Sequence, residues 1–184
     1  MVAYASGNAR AFDELYARHK GGTYRYFLRH VGGQRATAEE LHQDLWLKVI
    51  GARNRYAATA RFATWLYTLA RHRLVDHWRS RQDARWVSLA EDIEPEAAPG
   101  AAEALMQAEG CDPLRAAMDA QSSRQLLSAL EAVSTLQRDA FLLHIEGGLP
   151  LEEIARLTGA SMETVKSRLR YAYRKLRSAL GEMQ

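Results

Sequence analysis

The sequence predicts an all-α protein: two helical domains joined by a flexible acidic linker, the second domain containing a helix-turn-helix. Three observations predict it. Apolar residues recur at spacings of three and four almost throughout, the period of one face of an α-helix. No alternating apolar and polar run competes with that reading. One stretch, residues 89–112, breaks the period with Pro95, Pro99, Gly100 and Gly110, and Pro113 closes it. The expected boundaries are 1–88 for the first domain, 89–113 for the linker and 114–184 for the second domain.

Taken in order, Phe12, Leu15, Tyr16, His19, Thr23, Tyr26 and Phe27 place a helix from Ala11 to Phe27, stopped by Gly32 and Gly33. Thr37-Ala-Glu-Glu40 has the spacing of a capping box, in which the hydroxyl accepts the amide of Glu40. The helix it opens carries Leu41, Leu45, Trp46 and Val49 and ends near Gly51. A polar loop follows at 53–59. Phe62, Trp65, Leu66, Leu69, Ala70 and Arg73 then mark a long amphipathic helix to about Ser80, with Phe62, Trp65 and Leu69 read as core. Beyond the linker, helices resume at about Leu114. Leu126, Leu127, Leu130 and Val133 form one face, and Phe141, Leu142 and Ile145 the next, ended by Gly147-Gly148.

A composition of 47% hydrophobic residues provides enough apolar material for a core and excludes a wholly disordered chain. Twenty-five Lys and Arg against 22 Asp and Glu leave only +3, but the charge is unevenly spread. Residues 1–88 hold 15 basic and 7 acidic groups, residues 89–112 hold 7 acidic and no basic, and residues 113–184 hold 10 and 8. Two basic bodies on an acidic strap point to a polyanionic partner. The single cysteine, Cys111, excludes an internal disulfide or a cysteine-built zinc site and reads as an incidental thiol. No apolar run of about 18 residues exists and the N-terminus has no secretory pattern, so the expected location is cytoplasmic, with no membrane insertion.

Catalysis is not expected. The six histidines are scattered, and there is neither a G-x-x-x-x-G-K-[ST] loop nor a G-x-S-x-G elbow. His72 and Asp76, at i and i+4, have metal-ligand spacing but read as a surface helix. No cofactor and no metal are expected.

The sharpest local pattern runs from Leu149 to Arg170. Pro150 suits a first helical turn, where its missing donor costs nothing, and Glu152 and Glu153 sit at the positive end of that helix. Thr158-Gly159-Ala160 makes a turn in which Gly159 takes positive φ without penalty. Ser161 can cap a second helix on which Val165 and Leu169 pack back. The rest of that helix is polar or basic, as in a recognition helix that meets base edges with its N-terminal residues and phosphates with its flank.

A second basic surface lies in residues 53–86, with Arg53, Arg55, Arg61, Arg71, Arg73, Arg79, Arg81 and Arg85 interleaved with Tyr56, Phe62, Trp65, Tyr67, Trp78 and Trp86. Guanidinium groups follow phosphates, and aromatic faces stack on unpaired bases. Tyr56 in the loop, and Tyr67 and Trp78 off the core stripe, are expected to be free to meet bases.

On these residues the chain resembles bacterial RNA polymerase sigma factors of the extracytoplasmic-function branch. Ala11-Phe-Asp-Glu-Leu-Tyr16 is similar to that family's opening helix, Ala38–Val49 to its polymerase-docking helix, and Arg61–Arg71 with Asp76 to its promoter-melting segment. Leu136–Leu143 and the helix-turn-helix resemble its C-terminal domain. His72 stands where the family often has asparagine, and Tyr171-Ala-Tyr173 where it often has Arg-Ala-Arg.

The resemblance implies an alternative sigma factor. Its partners would be the RNA polymerase core enzyme, promoter DNA and an anti-sigma factor. It implies polymerase docking through Glu39, Gln43, Asp44, Trp46, Leu47 and Lys48. It implies minus-ten contacts by Tyr56, Arg61, Tyr67, Arg71, His72 and Arg79, and minus-thirty-five contacts by Thr164, Lys166, Ser167, Arg168, Arg170, Tyr171 and Arg174. The rival readings are a stand-alone helix-turn-helix regulator with a helical N-terminal domain, which binds duplex by itself, and a helical adaptor with no salt-dependent DNA binding.

Overall fold

The computed structural model describes residues 1–83 and 120–181. The expected acidic linker with Cys111, the pair Arg85 and Trp86, and the resumption of helix near Leu114 lie outside the described residues. Among the described residues every regular element is helical.

Helix α1 (Val2–Ala5) leads into α2 (Ala9–His30), capped by Asn8, whose side-chain oxygen accepts the Ala11 amide at 3.3 Å. Helix α2 stops where expected. Gly32 and Gly33 take φ of +63° and +80°, and the Gly33 amide donates to the Leu28 carbonyl at 2.8 Å, closing the helix end around a left-handed residue. This early reversal moves the start of α3 (Arg35–Gly51) forward. The expected capping box at Thr37 therefore does not form. The Ala38 amide already donates to the Gln34 carbonyl at 3.0 Å, and the Thr37 hydroxyl lies 3.4 Å from Gln34 Oε1.

A 3-10 turn (Arg53–Arg55) and a loop lead to α4 (Phe62–Ser80). Helices α2, α3 and α4 pack on one another around Tyr26, Phe27, Leu41, Leu45, Leu66 and Leu74. The core side of α4 is Leu66, Tyr67, Ala70, Leu74, His77 and Trp78, while Phe62, Trp65 and Leu69 are only half-buried at its edge. The expectation that Tyr67 and Trp78 are free is therefore wrong: they are 1% and 3% exposed. Two stripes with helical spacing run side by side on α4. The neighbouring helices select the second, with Tyr67 edge-on to Tyr26 at 5.5 Å and Trp78 against His30 at 5.7 Å.

The second segment holds α5 (Ala120–Glu131), α6 (Thr135–Ile145), α7 (Leu151–Thr158) and α8 (Met162–Gly181). Ser134 caps α6 by accepting the Gln137 amide at 3.4 Å. Every residue of α6 from Leu136 to Leu143 is buried, because α8 and α7 cover one side of it and α2 of the first segment meets another. The buried residues of both segments form one continuous cluster.

Candidate nucleic-acid interface

The α7–α8 unit forms as its local chemistry dictates. Gly159 takes φ +69°, and the Ala160 amide closes α7 by donating to the Ala155 carbonyl at 3.1 Å. The Ser161 hydroxyl then accepts the Thr164 amide at 3.0 Å, capping α8. Val165, Leu169, Ala172 and Leu176 are buried. At 3.6 residues per turn, that places Ser167, Arg170 and Arg174 on the opposite side of the helix, with Lys166 and Arg168 on its two flanks. Tyr171 lies beside this row, its ring 5.4 Å from the Arg170 guanidinium and 4.6 Å from that of Arg174. Thr164 is half-buried at the cap, and Lys166 is within 4.0 Å of the Glu163 carboxylate. Tyr173 turns inward onto Phe141. Of the expected minus-thirty-five residues, Ser167, Arg170 and Arg174 thus share the side of α8 away from its buried face, Lys166 and Arg168 flank them, and Thr164 lies at the cap.

The expected minus-ten residues divide. Arg61, His72 and Arg79 are exposed on α4 and at its start. Tyr56 is half-buried, edge-on to Trp65 at 5.0 Å, so the loop aromatic is anchored to the helix rather than loose. Tyr67 is withdrawn from this set: it is buried, and its hydroxyl donates to the Glu146 carbonyl at 2.7 Å. Arg71 is mostly buried and engaged by the second segment.

That engagement is the densest polar cluster among the described residues. Asp139 Oδ1 accepts the Tyr26 hydroxyl at 2.8 Å and Oδ2 accepts Arg71 Nε at 2.8 Å, with His30 Nε2 3.5 Å away. Burial alone would raise the Asp139 pKa. The His30 ring and the Arg71 guanidinium overcome it and hold the carboxyl well below its usual range. Burial keeps His30 below its ordinary value and pushes the Tyr26 phenol far above its own, while Asp139 more than offsets the effect of burial on Arg71. The result is a buried anion between a guanidinium, an imidazole and a hydroxyl. Nearby, Glu146 pairs with Arg25 at 2.8 Å and with Arg29, and the Thr64 hydroxyl donates to Glu153. Burial and the Glu146 charge also raise the Tyr67 pKa. Every carboxylate in these contacts belongs to the second segment and every arginine to the first.

On α3, Glu39, Gln43, Leu47 and Lys48 are exposed, and Leu47 is 58% exposed. Asp44 is half-buried and tied to Arg73 at 2.7 Å. Trp46, expected on the outer surface, is buried. Its ring packs on Tyr16 at 4.9 Å and Phe12 at 5.9 Å, because the start of α2 folds over that side of α3. Ile50, 42% exposed and one turn beyond Leu47, completes an apolar outer strip that the sequence reading omitted, although the i, i+3 spacing signals it. The reading also missed Arg25, Arg29, Asp139 and Glu146. The available signal was a lone carboxylate, Asp139, immediately before the apolar run Ala140–Leu143.

Residues 15–84 match the family model described as Sigma-70 region 2, and residues 123–176 that described as Sigma-70, region 4. The chain is 33% identical over 184 residues to the RNA polymerase sigma factor CarQ of Myxococcus xanthus, an alignment covering 100% of this chain and 97% of CarQ. It is 30% identical over 179 residues to the ECF RNA polymerase sigma factor SigK of Mycobacterium tuberculosis, covering 96% of this chain and 89% of SigK. The sigma factor RpoE of Bartonella quintana, solved as a co-crystal with the anti-sigma factor NepR, shares the fold. Its TM-score is 0.66 at 22% identity, over 94% of this chain and 98% of that one.

Proposed function

Because the chain belongs to the extracytoplasmic-function branch of the sigma-70 family, and is an alternative sigma factor that directs RNA polymerase to promoters, we propose a specific division of labour among its helices. Residues 1–88 act as the domain that docks on the polymerase core and opens the minus-ten element. Residues 114–184 act as the domain that reads the minus-thirty-five element as duplex, and the acidic stretch 89–113 links the two.

The reading is carried by the outward row Ser167, Arg170 and Arg174 on α8, set immediately behind the Gly159 turn and the Ser161 cap. A helix so placed can meet base edges in a major groove while its flank meets phosphates. On the first domain, Leu47 and Ile50 with Glu39, Gln43 and Lys48 form the polymerase-facing strip. Tyr56, Arg61, His72 and Arg79, joined by Arg71, form the strand-capturing surface. Arginines follow the backbone there and an aromatic ring offers a stacking plane, which is what a base that has left the duplex requires.

The chain acts as an initiation factor and not as an enzyme: it positions the polymerase, which performs the chemistry. Its place of action is the cytoplasm, with the polymerase. Its likeness to a sigma factor crystallised with an anti-sigma factor supports control by a protein inhibitor of the same kind. A stand-alone regulator would account for α7 and α8 but not for the match over residues 15–84.

Reconstitution tests this reading. Purified chain added to core polymerase is expected to give transcripts from a defined promoter and permanganate-reactive thymines at its minus-ten element. Failure to co-purify with core, together with tight duplex binding as a free dimer, would overturn it.

A further inference from the structure

The basic side chains of α8 are held in different ways. Lys166 lies within 4.0 Å of the Glu163 carboxylate, and Lys175 donates to Gln137 Oε1 at 3.3 Å. Arg170 and Arg174 both lie over one aromatic ring, that of Tyr171, with their guanidinium carbons 5.4 Å and 4.6 Å from its centroid. Tyr171 follows Arg170 in the chain and stands three residues before Arg174, the spacing at which helical side chains meet. The ring is itself half-buried, and Ala172 beside it is fully buried, so the platform sits on a fixed part of the helix. Tyr173, two residues on, does different work, packing inward on Phe141 at 5.2 Å. A guanidinium stacks through its face and donates through its edges. An arginine lying on a ring can therefore donate to a base edge at the same time. A carboxylate brace would instead occupy those donors and cancel charge that DNA binding uses.

We propose that Tyr171 is a positioning residue for minus-thirty-five recognition: its ring braces Arg170 and Arg174 in the outward row of α8 before DNA arrives, and it acts through them without touching DNA itself. The proposal rests on the functional reading above. A long side chain that is free in solution loses rotamer freedom when it binds, and ordering it beforehand removes that cost. The direction of a guanidinium matters for a bidentate contact to a base edge, whereas attraction to phosphates depends on charge. The ring carries no charge. Its contribution is therefore discrimination between sequences and not general attraction to the duplex.

The test uses holoenzyme assembled on core polymerase. The probe is a promoter duplex selected by the wild-type holoenzyme from a pool randomised in the minus-thirty-five region, with the same duplex scrambled in that region as control. Tyr171→Phe keeps the ring face and should stay within about 2-fold of the wild type on the selected duplex. Tyr171→Leu keeps an apolar side chain and helix propensity but no ring, and should lose roughly 5- to 10-fold on the selected duplex and almost nothing on the scrambled one. The salt slope should be the same for both variants and the wild type, because no charge has changed. In a background of Arg170→Ala with Arg174→Ala, Tyr171→Leu should have no further effect. Three results would overturn the brace: Phe losing as much as Leu, which would give the contact to the hydroxyl; Leu matching the wild type; or the Leu loss persisting in the double-alanine background. A lowered melting temperature with equal losses on selected and scrambled duplex would also overturn it, since the ring would then merely hold α8 together. A wild-type holoenzyme that selects no upstream sequence is a separate outcome, which overturns the assignment of α8 as the reader and the brace with it.

Discussion

Asp139 shows how one residue makes two bodies into one. Inside an isolated second segment its carboxylate would have neither of the donors it uses here, since the Tyr26 hydroxyl and the Arg71 guanidinium both come from the first. A buried charge that loses its counter-charge costs several kcal/mol, so Asp139→Asn should destabilise the packed molecule by about 3 kcal/mol at neutral pH. The pH dependence has a definite sign. The folded pKa lies below the unfolded one, so the stabilisation is complete above the unfolded value of about 4 and is lost as the solution is acidified below it. In urea unfolding, the gap between wild type and Asp139→Asn should be widest near neutrality and narrow toward about pH 3. A gap that stayed constant across that range would show that the ionised form of Asp139 contributes nothing to folding.

At the scale of the element, α3 separates what docks from what holds. Leu47 and Ile50 lie outside and Trp46 inside, although all three fall within five residues of sequence. Leu47→Glu with Ile50→Glu should abolish co-purification with core polymerase while leaving helical circular dichroism and the melting temperature near wild type. Trp46→Ala should instead cost about 3–5 kcal/mol of stability, as large-to-small changes in a packed core do. Similar losses of stability from both would mean that the outer strip is structural.

The helices themselves were legible in the sequence because their signals are local: the glycine pair after α2, the Gly159 turn and the Ser161 cap each act within a few residues. The orientation of α4 was not legible. Phe62, Trp65 and Leu69, and Leu66, Tyr67 and Leu74, both fit a helical face, and only the packing of α2 and α3 distinguishes them. Trp46 was misplaced for a related reason, since its cover comes from Phe12 and Tyr16, one helix away in the chain.

For the whole molecule, the two DNA-facing surfaces stand differently in the packed state. The strand-capturing surface has its central arginine engaged by Asp139, whereas Ser167, Arg170 and Arg174 lie on the side of α8 away from its buried face. At Gly22, in the middle of α2, an added side chain would press on the turn after α6. Duplex carrying a minus-thirty-five element should therefore bind wild type and Gly22→Leu with equal affinity and equal salt slope, because the phosphates neutralised are the same. A marked difference measured by fluorescence anisotropy over a salt series would show that packing also constrains the recognition helix. Neither segment displays this asymmetry alone, since it arises where α6 meets α2 and α4. Little in the sequence warns of it, because the partners, such as Tyr26 and Asp139, are more than a hundred positions apart.

Gly22 also sets a limit on how stable this protein can be. Gly21 and Gly22 interrupt a 22-residue helix, and each costs roughly 1 kcal/mol relative to alanine. Replacing glycine by alanine within a helix is among the dependable ways to raise a melting temperature. At Gly22 that substitution would press against the Glu146 carbonyl and work against the joint between the segments. A search for hardier variants would therefore select changes here that loosen the seat of the turn after α6, and the weak spot in α2 is a compromise between helix stability and that contact.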